Sequence, residues 1–412
     1  MWKSACKYCL LSIGLMLVLF SFSACNESAI APGEKTREEL WMEDIDFIKE
    51  NLPRLHPDLY LRMNEEFFLT GLDEIKPDLE WKSDKTILIQ IAEVLSKVQD
   101  VNTYIYPQFG FSQLPIKMEW FSDGLFVTGV GSNYNYLFGQ QVLSIEDTNI
   151  DEALSLFSSC VSADNEFSRR YLTKNLFNIP EYLIYLGISQ LYYNIGFEFS
   201  GFPMQRILEA PTDDFHSFFT FENIQLPLYL QNRAEAIWFE INEEQQYVYI
   251  KINDTESDSS VYNSFYTILQ SYTPLNATKK VIIDLRSAQN SVNNISLEYL
   301  MDALTQYSLS NAKLYTLIDN STFNCGVDLA YKLKNTFSST VIGEPTGGRI
   351  NHSTAIERMV LPNYRHIIYS PTARVLNSEA DEEFLEPDIF IELDSEDYFN
   401  LKDPLLQYIL AQ

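Results

Sequence analysis

Ser321-Thr322-Phe323-Asn324-Cys325-Gly326-Val327 and Val341-Ile342-Gly343-Glu344-Pro345-Thr346-Gly347-Gly348-Arg349-Ile350-Asn351-His352 are the stretches on which the reading of this chain turns. The first leads into Cys325 to Asn335, whose apolar spacing predicts a helix. The second continues a short apolar run, Ser339 to Ile342, that predicts a buried strand, and then breaks at Pro345 and two glycines. Working outward, Tyr247–Ile252, Lys280–Leu285 and Lys313–Ile318 read as strands, with helices at Val261–Tyr272 and Ser296–Leu309 between them. That β-α-β-α-β-α-β order predicts an α/β core over residues 236–412, built on a mixed, largely parallel sheet with flanking helices.

The two stretches resemble the active-site block of the tail-specific (carboxyl-terminal processing) serine proteases, whose core is shared with tricorn and interphotoreceptor retinoid-binding protein. In that family a Thr-x-Ser segment opens a helix, and a Gly-Glu-Pro-Thr-x-Gly-x segment follows a strand downstream. The resemblance covers residues 38–405, yet it puts Asn324 in the serine slot and Arg349 in the slot where one branch keeps a lysine base. A side-chain amide is no nucleophile, and a guanidinium cannot take a proton at neutral pH. Val98-Gln99-Asp100-Val101-Asn102-Thr103-Tyr104 resembles the family's Asp-x-His-Thr segment, with Asn102 in the place of a histidine base. Asparagine can orient a group but does not titrate. Ile283-Asp284-Leu285-Arg286 resembles the Asp-Leu-Arg-x-Asn-x-Gly-Gly end of a core strand, whose glycines turn backbone N–H groups toward an oxyanion; here Gln289 and Asn290 stand near those glycines. Asp284 and Arg286 read as structural. So does His56, a helix-end packing residue within Trp41–Tyr60, which looks like the opening helix of one bacterial branch.

Two further candidates come from that block. The tricorn-like branch uses a late carboxylate upstream of a Pro-Asp segment; Glu386-Pro387-Asp388 is present and Asp381 is the nearest candidate, although the acidic run Glu379 to Glu386 reads better as a solvated face. Asp388–Glu392 and Asp403–Leu406 match the family's closing strand and helix. Cys325 adjoins the serine slot and His352 follows it, but neighbouring residues at a helix start point roughly 100° apart, so Cys325 is expected to miss the position of Asn324.

The 412-residue chain carries 57 acidic and 29 basic residues, a formal net charge of −28, with no Lys/Arg cluster. That speaks against nucleic acid and anionic lipid as electrostatic partners and reads chiefly as solubility, with an acidic groove for basic peptides as the other reading. Lys3 and Lys7, the apolar run Leu10–Phe22 and Ser23-Ala24-Cys25 resemble a bacterial lipoprotein signal over residues 1–24, with Cys25 lipidated; an uncleaved anchor or an ordinary signal peptide is the alternative. Cleavage removes two lysines and no acid, leaving −30. Cys160 and Cys325 then remain, and a disulfide between them stays open. The four histidines are scattered and no Cys/His cluster survives, so no metal and no cofactor are expected.

Between signal and core, residues 25–37 form a tether and residues 38–112 a helical N-terminal domain. Residues 113–235 form a β-rich and helical middle region. There Ile116–Trp120, Gly124–Thr128 and Gln141–Ile145 read as strands, and Leu137–Ile150 is similar to the end of a PDZ-type module, with Asp147-Thr148 where Asn-Gly is usual. Residues 192–235 carry no assignment. Together these imply a lipid-anchored, extracytoplasmic protease homologue without catalysis that binds peptide or unfolded protein. An active peptidase with a relocated nucleophile (Ser321, Ser338 and Ser339 lie nearby) and a purely scaffolding protein are the alternatives. Oligomeric state is not legible.

Overall fold

The structure, a computed structural model, describes residues 35–105, 110–208, 220–221, 225–253, 260–261, 264, 267, 278–288 and 312–412. Residues 1–24, Cys25, Gln289, Asn290 and the helix expected at 296–309 lie outside the described residues. Of the helix expected at 261–272, Val261, Ser264 and Thr267 are described, and they are helical.

Three helices open the described chain: α1 (Arg37–Leu55), α2 (Glu65–Asp73) and α3 (Asp84–Ser96). Helix α1 starts where it does because Thr36 and Glu39 cap each other reciprocally. It buries Trp41, Ile45, Ile48 and Leu52, a helical stripe. Arg37 fastens its first turn to Leu79 O, Lys82 O and Asp84. The short strand β1 (Tyr104–Ile105) follows.

The middle region holds β2 (Ile116–Phe121), β3 (Gly124–Val130), β4 (Val142–Ile145), β5 (Thr148–Asn149), α4 (Ile150–Phe157), α5 (Glu166–Thr173), α6 (Pro180–Tyr185), β6 (Ile195–Phe199) and β7 (Phe202–Leu208). The three strands expected before residue 150 are present, and the 137–150 segment does run strand, turn, strand, helix. Strands β6 and β7 lie in the part left unassigned. They form a hairpin in which Phe199 pairs with Phe202 across Ser200-Gly201, a two-residue turn of the kind glycine favours. The sheet runs β5-β4-β6-β7.

The core follows: β8 (Ile237–Asn242), β9 (Tyr247–Ile252), β10 (Lys280–Asp284), β11 (Lys313–Ile318), α7 (Cys325–Phe337), β12 (Thr340–Gly343), β13 (His352–Val360), β14 (Ile367–Val375), β15 (Ile389–Phe390), α8 (Ser395–Phe399) and α9 (Pro404–Leu410). One six-stranded sheet has the order β15-β12-β11-β10-β9-β8, parallel throughout except at β8. Alternate residues of its strands serve two cores, as the two-residue period requires. Val248, Ile250, Val281, Ile283 and Val341 pack with Val327, Ala330 and Leu333 of α7. Tyr249, Ile282, Tyr315, Leu317 and Ile342 pack with Leu405 and Ile409 of α9.

Strands β13 and β14 leave this sheet. They pair with each other, β14 also pairs with β1, and Met359, Leu361 and Ile368 join the core of the N-terminal helices. This excursion brings Asn102, just before β1, to Ser353 at the start of β13 and to Asn324 in the turn after β11.

Candidate functional site

The turn between β11 and α7 is built tightly. Asp319 Oδ1 accepts from the Ser321 N–H and hydroxyl, and the Asp319 N–H donates to Thr322 Oγ1. The Phe323 N–H donates to Ala288 O, and the Gly348 N–H to Thr322 O. Two glycines permit these crossings: a Cβ on Gly326 would lie 2.6 Å from Ala288 O, and one on Gly347 would lie 2.2 Å from Asn320 O. The chain then reverses at Asn324, with φ +46° and ψ −116°. That is a strained backbone for a non-glycine residue, of the strand-turn-helix kind that presents a side chain above a sheet.

Asn102 meets it there. Asn102 Nδ2 donates to Asn324 Oδ1 at 2.8 Å, and Asn324 Nδ2 donates back to Asn102 Oδ1 at 3.1 Å. Asn102 Nδ2 also donates to Ser353 O at 2.7 Å, which fixes which end of the amide is nitrogen and, through it, the orientation of Asn324. Both residues are buried, at 3% and 4% exposure. The two positions, 222 residues apart, are thus joined in a reciprocal amide pair that neither titrates nor supplies a nucleophile.

Asp100 and Asp164 hold the Asn102 loop. Asp100 Oδ1 accepts from the Asn102 N–H, Asp100 Oδ2 meets His56 Nε2 at 3.1 Å, and the Asp58 N–H donates to His56 Nδ1. That bond makes Nδ1 an acceptor and leaves the Nε2 proton to face Asp100. His56 does cap the end of α1, as expected, but it also positions the site loop. Asp164 accepts from the Val101 N–H and, at 3.1 Å, from the Arg349 N–H, tying together the two segments that carry Asn102 and Arg349. Burial, and after it the Asp100 charge, pushes the Asp164 carboxyl up to about 6. Nothing in the spacing of Ser162-Ala163-Asp164 pointed to this role.

No family model matches the chain, and no curated protein does. Among solved structures, mature CPAF complexed with lactacystin superposes with a TM-score of 0.61 at 10% identity, over 90% of this chain and 98% of that one. A mutant of CPAF gives the same score and identity over 90% and 96%. The chain has the tail-specific protease fold. A photosystem II D1 C-terminal processing protease also aligns over 88% of this chain and 94% of that one, with 11% identity and a TM-score of 0.40.

The buried Arg349 guanidinium faces Glu383 at 3.3 Å. Asp381, the late-carboxylate candidate, does not reach Arg349; it is exposed and pairs with Arg62 at 3.1 Å, because the acidic run lies on the surface, where each carboxylate stays solvated. Cys325 begins α7 and Cys160 is buried; both are free thiols, so the open disulfide is absent. The ring of His352 meets Arg349 O at 3.2 Å through Nδ1 and lies 3.9 Å from Asp328 through Nε2. Ser321 donates to Asp319, and the Ser339 hydroxyl meets that of Thr316, so neither is engaged by an imidazole.

Asp284 and Arg286 sit at the floor of the site and are structural, as expected. Arg286 bridges Asp284 at 2.5 Å and Asp403 at 2.8 Å and stacks on Tyr229. Lys251, from inside strand β9, donates to Arg286 O and lies 3.4 Å from Asp284. Burial would raise the Asp284 carboxyl, but Arg286 and then Lys251 override it and hold the group well below the usual range.

Proposed function

We propose that this protein keeps the tail-specific protease fold as a peptide-binding scaffold and does not hydrolyse. The observation that carries the reading is the reciprocal Asn102–Asn324 amide pair at the strained turn: the slots of base and nucleophile touch, but hold groups that can neither take a proton nor attack. Nucleophile and base act as a unit, and losing one alone removes several orders of magnitude in rate. Arg349 adds a third non-basic substitution. The ligand class we assign is an extended peptide or unfolded segment, with the β-rich middle region, read as PDZ-like, offering strand edges for addition. The signal-like residues 1–24 and Cys25 support a lipid-anchored place outside the cytoplasmic membrane.

Residues 26–412, titrated into a fluorescently labelled unfolded peptide, are expected to give saturable binding, with all of the peptide recovered intact. Recovery of fragments, or no saturation by any member of a peptide pool, would sink the proposal.

A further inference from the structure

The conformation of Asn324 has a chemical consequence beyond the missing nucleophile. The substituents of a tetrahedral carbon are spaced roughly 120° apart, and in an L-residue Cβ lies on the negative-ψ side of the backbone nitrogen. At ψ −116° the amide nitrogen of Cys325 is therefore nearly eclipsed with Cβ of Asn324. A five-membered ring running through that nitrogen and the carbonyl carbon, Cα, Cβ and Cγ of Asn324 needs this arrangement. In a helix or a strand the next nitrogen is turned well away from Cβ, and the backbone must distort before such a ring can close. Here the fold already imposes the distortion. Asn102 Nδ2, 2.8 Å from Asn324 Oδ1, adds a donor to the oxygen on which negative charge would develop.

We propose that Asn324 is a self-modification site. The Cys325 nitrogen attacks Cγ of Asn324; the N–Cγ bond forms and the Cγ–Nδ2 bond breaks. Ammonia leaves with the proton of the Cys325 amide, and a succinimide remains. Water then opens the ring to aspartate or isoaspartate. With Asn324 only 4% exposed, water reaches the ring slowly, so the imide is the species that accumulates in the folded protein. The imide lacks the Nδ2–H donor, so one of the two bonds of the amide pair is lost and Asn102 Oδ1 is released.

Asn320 provides an internal control. It lies in the same tryptic peptide, residues 314–332, and has no positive φ. The full-length protein is aged at mildly alkaline pH, once folded and once in urea, and that peptide is read by mass spectrometry for the loss of one ammonia or its hydrolysis products. Modification at Asn324 is expected to run at least about tenfold faster in the folded protein than in the unfolded chain, equivalent to roughly 1.4 kcal/mol of barrier, with no such acceleration at Asn320. An intact Asn324, or one modified no faster folded than unfolded, overturns the proposal.

Discussion

Arg286→Met is expected to cost roughly 3–5 kcal/mol of folding stability. Arg286 is the shared partner of two buried carboxylates, Asp284 and Asp403, and its removal leaves them facing each other with Lys251 as the remaining cation. Total stability is typically about 5–15 kcal/mol, so the variant should unfold at a much lower urea concentration than the parent. Arg286→Lys should recover little, because a point ammonium cannot span two carboxylates as the guanidinium fork does. Lys35→Met, which breaks an exposed pair with Glu43, should leave the urea midpoint close to that of the parent. An Arg286→Met midpoint close to that of Lys35→Met would show that the quartet does not hold the floor of the site.

Glu344 is expected to cost stability as pH rises toward the alkaline side. It is half-buried beside the site, accepting from Asn320 Nδ2 at 2.9 Å. Burial first, then the charges of Asp319 and Glu392, push its carboxyl up from 4.5 to about 8, against smaller opposing effects of a hydrogen bond from the Leu393 backbone and of Arg170. A carboxyl whose folded value is raised binds its proton more tightly in the native state. Its stabilisation is fully present below about 4.5 and is lost as pH rises through about 8. Glu344→Gln, which cannot ionise, should therefore match the parent near pH 4 and exceed it by roughly 2–5 kcal/mol near pH 9. Asp164, raised to about 6, adds a smaller loss at lower pH that both proteins share. Urea unfolding across this range checks the sign; a variant that gains nothing over the parent at high pH contradicts it.

The parallel sheet was legible because its strands are buried on both faces and read as continuous apolar runs: Lys280–Asp284 and Thr340–Gly343 lie where the pattern put them. Lys251 was not legible as part of the site floor, since a lysine within Tyr247–Ile252 reads as an outward residue until Asp284 and Arg286 are folded around it. The β6–β7 hairpin escaped notice because Gly196 and Pro203 interrupt the alternation that otherwise marks strands. Asn324, Arg349 and Asn102 were each singled out in the sequence by their place in motifs that resemble the family's. Their joining could not be read, because the Asn102 loop reaches Asn324 only through the departure of β13–β14 to the N-terminal helices and the tie of Asp164 to the Arg349 N–H. The Asp381 candidate failed for a local reason: Arg62, more than three hundred residues earlier, holds it at the surface.

In the proposed reading the Asn102–Asn324 amide pair has replaced the chemistry. Its most direct measurement is a search by mass spectrometry for new peptide termini after unfolded protein is incubated with the parent, with Asn324→Ala, with Cys325→Ala and with Asn324→Ser. None should produce termini above the no-protein control, Asn324→Ser included, because Asn102 still supplies no base. Termini produced by the parent and abolished in Asn324→Ala or Cys325→Ala would contradict the account and would name the residue that does the cutting.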